Sequence, residues 1–134
     1  MILIVSLAAY FYLANKPANE EPNNAQSAEK SSVKIVFTDN GFQPNAVTVK
    51  KGDEVVFLNQ SSKPTRPASA FHPTHTAYPG SSIEKCGTDE ESETFDACGE
   101  IAPGESWSFV FNELGTWKYH NHLDISNYGS ITVE

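Results

Sequence analysis

Basic residues are scarce in this sequence. Nine Lys and Arg stand against seventeen Asp and Glu, a formal net charge of −8 over 134 residues. No basic stripe exists to neutralise phosphates, which argues against a nucleic-acid partner. Helical signal is missing too: after residue 32 no stretch sustains a 3.6-residue apolar period. There is no glycine-rich phosphate loop, no nucleophile-elbow serine and no paired-carboxylate motif of the glycosidase kind. Cysteine is limited to Cys86 and Cys98, twelve positions apart. That spacing is not a zinc-ribbon spacing. In an exported protein the expected use is a disulfide, contributing about 2–3 kcal/mol; a pair of thiolate metal ligands is the rival reading.

Long apolar runs are also few. Met1–Asn15 carries no charge and is almost wholly apolar, but it is short of the roughly 20 residues that span a bilayer. It lacks a basic n-region and a clear small-x-small cleavage box. It reads as a signal peptide or short signal-anchor over residues 1–15. Residues 16–32 are rich in Pro, Asn, Ala, Glu and Ser and hold no aromatic residue, the composition of a disordered linker. A folded domain is expected over 33–134. An apolar start, a polar tether and then a domain is the layout of an extracytoplasmic protein, secreted or N-terminally membrane-anchored.

The domain is patterned for strands. Val33, Ile35 and Phe37 alternate before the turn signal Asp39-Asn40-Gly41. Val47 and Val49 share one face of a second strand over 45–50. Glu54–Asn59 is apolar on both faces and so central. Gln60–Gly80 has no period and holds four of the eight prolines. Ser81–Glu100 is acidic, with Glu84, Asp89, Glu90, Glu91, Glu93, Asp96 and Glu100 against Lys85 alone, and reads as a solvated insertion. Trp107, Phe109 and Phe111 line one face of a strand over 106–112, and the remaining aromatics, Tyr78, Tyr119, Tyr128 and Trp117, are expected in the core or at its rim. Short strands separated by Gly and Pro turns predict an all-β, antiparallel sandwich.

The histidines carry the chemical signal. All four fall in two short motifs, His72-Pro-Thr-His75 and His120-Asn-His122. On a strand running from Gly115 a period of two places His120 and His122 on one face. A loop is expected to close through Tyr128-Gly129 before a last strand with Ile131 and Val133. Neutral imidazoles suit Cu(II), Zn(II) or Ni(II), and copper binds most tightly in the usual order. Asp124 could add an oxygen ligand.

These residues resemble the cupredoxins. The resemblance rests on Phe42–Asn59, on Pro103-Gly-Glu-Ser-Trp-Ser-Phe-Val-Phe111, on Gly115-Thr-Trp-Lys-Tyr-His120 and on Gly129-Ser-Ile-Thr-Val133. It implies a Greek-key β-sandwich with a copper site at one end. His75 stands where the first blue-copper ligand is expected. Asn121 stands in place of the cysteine, Asp124 near the second histidine and Asn127 near the methionine. A copper–thiolate centre is therefore excluded on ligand chemistry. The two His motifs are similar instead to those of multicopper oxidases, without their cysteine. This implies His75, His120 and His122 as ligands, with His72 as a fourth ligand or a neighbour of the ligands.

The expected function is copper binding through an all-histidine, non-blue site, for copper handling or slow electron transfer, with another divalent transition metal as an alternative cofactor. Expected partners are the copper ion and a membrane or redox partner protein. Binding rather than catalysis is the expectation. Two alternatives stand beside it. One is an oligomeric copper oxidase or reductase with an interfacial His site. The other is a metal-free module that docks a partner through the acidic segment.

Overall fold

The computed structural model describes residues 31–134. The expected signal or anchor over 1–15 lies outside these residues, as does the expected linker except Ser31 and Ser32. Eight strands form two four-stranded sheets: β1 (Ser32–Thr38), β2 (Gly41–Gln43), β3 (Ala46–Val49), β4 (Glu54–Asn59), β5 (Pro67–Ser69), β6 (Ser106–Val110), β7 (Gly115–Asn121) and β8 (Asp124–Val133). One sheet has the order β2-β1-β4-β6, the other β3-β8-β7-β5. Two single-turn 3-10 helices, Ile83–Lys85 and Glu91–Glu93, are the only helical turns among the described residues. None is long and apolar enough to cross a membrane.

The all-β sandwich is as expected, but the sheets are mixed rather than antiparallel. β1 pairs with β4 in parallel, and β3 with β8 in parallel. The reason is local. β2 and β3 are two pieces of one run, interrupted at Pro44-Asn45. Pro44 has no amide hydrogen to continue a ladder, so the run leaves one sheet there and joins the other. The Asp39-Asn40 turn reverses the chain before this run, and a second turn, with Asp53 N–H on Lys50 O (2.9 Å), reverses it after. β1 and β4 therefore point the same way. β4 lies inside its sheet, as its apolar pattern predicts.

Between the sheets lies an aromatic core. Phe57 from β4, Phe109 and Phe111 from the β6 run, Tyr119 from β7 and Phe95 are all buried. Edge-to-face packing dominates, as between Phe57 and Tyr119 (5.4 Å, 78°) and between Phe95 and Phe111 (4.9 Å, 80°). Phe95 is the surprise, because it belongs to the acidic stretch read as solvated. Thr94, Phe95 and Asp96 are buried. This piece lies along β5, with Ser69 N–H on Phe95 O (2.7 Å) and Ala97 N–H on Pro67 O (3.0 Å). The continuously exposed part of the stretch is its middle, residues 87–93, while Ser81 at its start is buried as well.

Gly129 marks a close approach of backbone to side chain. A Cβ there would lie 2.4 Å from Asn45 O and 2.4 Å from the Tyr119 hydroxyl. β8 can cross Tyr119 only because this position has no side chain.

Candidate metal centre

Half of the site comes from the β7–β8 hairpin. The expected long loop before the last strand is not there: β8 begins at Asp124, and only His122 and Leu123 separate the strands. The ladder breaks between His120 and Asn121. His120 faces Tyr128, whereas Asn121 faces Asp124, leaving Ile125–Asn127 unpaired as a bulge on β8. Asp124 closes this bulge, its carboxylate accepting from Ser126 N–H and Oγ and from Asn127 Nδ2. Asn121 Oδ1 accepts from Leu123 N–H (3.1 Å), which tightens the turn, and from Arg66 N–H (2.9 Å), which ties β7 to the chain entering β5. His122 N–H donates to Arg66 O (2.8 Å). The residue in the cysteine's place is thus a buried hydrogen-bonding hub.

The other half comes from the long excursion between β4 and β6. β5 pairs with β7 so that Ala68 lies opposite His120. On its other side Ala68 bridges Asp96. Residues paired across a ladder share a face, so Asp96, Ala68 and His120 form a row. The small central side chain leaves room above it, and His75 fills that room. Its ring lies 5.1 Å from that of His120, and its Nδ1 is 2.6 Å from Asp96 Oδ2. His75 is fully buried and left-handed (φ 58°), a conformation that His tolerates better than most residues.

The motifs converge as expected. His75, His120 and His122 place one ligating atom each within 4.8 Å of one another. His122 Nδ1 is 3.0 Å from His75 Nε2. His72, exposed at the rim, brings its ring to 5.0 Å from that of His122, 5.4 Å from His120 and 6.2 Å from His75. It stands beside the triad rather than in it. Asp124 does not join, because the bulge occupies its oxygens. Asn127 is likewise held in the bulge.

Electrostatics favour neutral imidazoles. Burial lowers His120 to about 4, helped by the neighbouring histidines and opposed by Asp96. Burial and the Arg66 charge lower His122. Burial would push the Asp96 carboxyl up, but hydrogen bonds from His75, Arg66 and the Cys98 amide outweigh it and hold Asp96 at about 2. Arg66 grips Asp96 with two donors, Nε (2.9 Å) and Nη2 (3.0 Å). Cys98 N–H donates to Asp96 Oδ1 (2.7 Å). Cys86 and Cys98 form the expected disulfide.

The donor set fits a metal ion. His120 Nε2 is buried and has no hydrogen-bond partner, a costly arrangement that an ion would relieve. An ionised Asp96 can only accept, so His75 holds its proton on Nδ1 and presents the lone pair of Nε2 to His122 Nδ1, 3.0 Å away. The 3.0 Å separation of His75 and His122 nitrogens suits two donors on one ion with bonds of about 2 Å.

Asp96 and Arg66 were not legible as part of this site. One signal pointed to the segment: Phe95 is the only aromatic residue between Ser81 and Glu100. A lone aromatic residue in an acidic run marks backbone drawn into the core, and its neighbour then faces the other side of that backbone.

Comparison with known proteins agrees with the geometry. The model of the family described as cupredoxin-like domain matches residues 3–133. No curated protein sequence matches the chain. Among solved structures, a purple cupredoxin from Nitrosopumilus maritimus superposes with a TM-score of 0.58 at 17% identity, covering 76% of this chain and 99% of that one. An amicyanin variant in its Cu(I) state gives 0.55 at 18% identity, covering 77% and 82%. A reduced amicyanin variant gives 0.55 at 18%, covering 87% and 95%. At these identities the likeness is one of fold.

Proposed function

Because the chain belongs to the cupredoxin-like domain family, we propose that it binds one copper ion through His75, His120 and His122, with His72 able to close over the ion from the rim. The observation that carries this reading is the triad of ligating atoms within 4.8 Å of one another, one member of which, His120, also has a buried Nε2 with no hydrogen-bond partner. A bound copper would supply a Lewis-acidic centre able to change between Cu(II) and Cu(I). The protein's residues do the rest. Burial keeps His120 and His122 neutral near pH 7, and the burial of His75 and His120 keeps water from the inner side of the site.

The ligand set has no thiolate, so intense blue colour and the fast electron exchange of blue centres are not expected. Copper handling or slow electron transfer is the role that fits. Phe71 and Leu123 are exposed and each adjoins a site histidine, which gives the rim an apolar surface for a redox partner. Extracytoplasmic placement is part of this proposal; the apolar segment 1–15, the polar stretch after it and the disulfide support it.

The test is metal content and spectroscopy of the full chain. One equivalent of Cu(II) should bind with nitrogen hyperfine structure in its paramagnetic resonance spectrum. A His75→Ala variant should lose it. Retention of an unchanged signal in that variant would refute the assignment.

A further inference from the structure

The reading above leaves the row Arg66–Asp96–His75 and the neighbouring disulfide without a task. We infer that Asp96 is a positioning residue of the copper site, and that the Cys86–Cys98 bridge and Arg66 hold it in place. The inference rests on the copper reading and names what regulates that site.

The argument starts from the cost of burying Asp96. It is 2% exposed and held by a guanidinium on one side and an imidazole on the other. A carboxylate there is destabilising unless paired and hydrogen-bonded. Four contacts satisfy it: Arg66 Nε and Nη2, the Cys98 amide and His75 Nδ1. If Asp96 served only to pair with Arg66, the fourth contact would be superfluous. It is instead the shortest of the four, at 2.6 Å, and it ends on a buried histidine that also reaches the other imidazoles. A carboxylate on the far nitrogen of a metal-binding histidine fixes its tautomer and ring orientation and raises its basicity.

The disulfide sets where Asp96 sits. Cys98 lies two residues on, and its amide caps Asp96 Oδ1 while its own backbone is left-handed (φ 57°). Arg66 Nη2 lies 3.6 Å from Cys86 Sγ and 3.0 Å from Asp96 Oδ2. One guanidinium thus touches both the bridge and the carboxylate. Without the bridge, residues 86–98 form an open acidic loop. Cys98 is then held in its left-handed turn only by its own amide contact and by Ala97 N–H on Pro67 O, and the cap on Asp96 is loosened. The state of the bridge is thereby linked to the strength of the copper site.

The test uses the full chain and Cu(II) in competition with a chelator, with near-ultraviolet circular dichroism to confirm folding. Asp96→Asn should weaken Cu(II) binding by about 10–100-fold, and the Cu(II)/Cu(I) potential should move positive, because the anionic carboxylate favours the higher charge. Cys86→Ser with Cys98→Ser should weaken binding in the same direction by a smaller factor. Unchanged affinity and potential in folded Asp96→Asn would overturn the positioning role, and unchanged affinity in the double serine variant would overturn the link to the bridge. A second measurement does not depend on any variant folding. In copper-free wild-type protein, nitrogen-15 spectra should show His75 protonated on Nδ1; protonation on Nε2 would overturn the inference outright. If the wild type itself takes up no copper while His75 shows the expected tautomer, the copper reading fails and the Asp96–His75 contact stands as a structural pair.

Discussion

The two halves of the site are held by different physics. The hairpin places His120 and His122 through a β-ladder, with Tyr119 opposite Gly129 and His120 opposite Tyr128. The excursion between β4 and β6 places His72, His75 and Asp96 through side-chain hydrogen bonds, a short ladder beside β5 and one disulfide. Ladder bonds repeat along the chain and fail gradually. The excursion has few of them, so single side chains decide its shape. Substitutions should therefore act in opposite ways in the two regions: in the hairpin through packing, in the excursion through individual polar contacts.

The largest effect expected is on copper. His120→Ala should abolish stoichiometric Cu(II) uptake while leaving the strands intact, as read by metal analysis and far-ultraviolet circular dichroism. The hairpin's packing is probed by Gly129→Ala. The added Cβ has no room beside Asn45 O and the Tyr119 hydroxyl, so a loss of about 3 kcal/mol is expected in urea unfolding. A loss below about 1 kcal/mol would mean that β8 has freedom to shift.

Acid should unfold the copper-free protein early. In the folded state His120 is lowered to about 4, against 6.5 in the unfolded chain. Between those values the unfolded state takes up the proton and the folded state does not. Stability is thus fully present above about pH 6.5 and is lost as pH falls through 4, by up to about 3 kcal/mol. Asp96, lowered from 3.8 to about 2, adds a further loss as pH falls from about 4 toward 2. A flat stability curve from pH 7 to 4 would contradict the burial of His120. On the excursion side, removing the disulfide with Cys86→Ser and Cys98→Ser should cost about 2–3 kcal/mol. Hydrogen exchange should speed up between residues 70 and 98 before it does in β7. Smallest is Asn121→Ala, about 1–2 kcal/mol, because it frees two amides, Arg66 and Leu123, at the seam between the regions.

The same contrast explains what the sequence made legible. Strands β1, β3, β6 and β7 announce themselves by alternation, β4 by an apolar run, and the two histidine motifs by spacing. β2 and β5, three residues each, are too short to show a period. The parallel pairings follow from a crossing at Pro44 that local pattern does not encode. The hairpin in place of a ligand loop depends on Asn121 folding its side chain back onto Leu123 N–H, which looks in the sequence like a lost cysteine. Asp96 was hidden among acidic neighbours because charge counting cannot tell one buried carboxylate from six solvated ones. Its burial follows from Phe95 beside it and from Arg66, thirty positions away.

The most direct test of the account is a Cu(II) titration of the full chain, followed by paramagnetic resonance and visible absorption in wild-type and His120→Ala protein. The account predicts one tightly bound, weakly coloured, nitrogen-rich copper in the wild type and none in the variant. No stoichiometric copper in the wild type, or an identical signal in the variant, would contradict it.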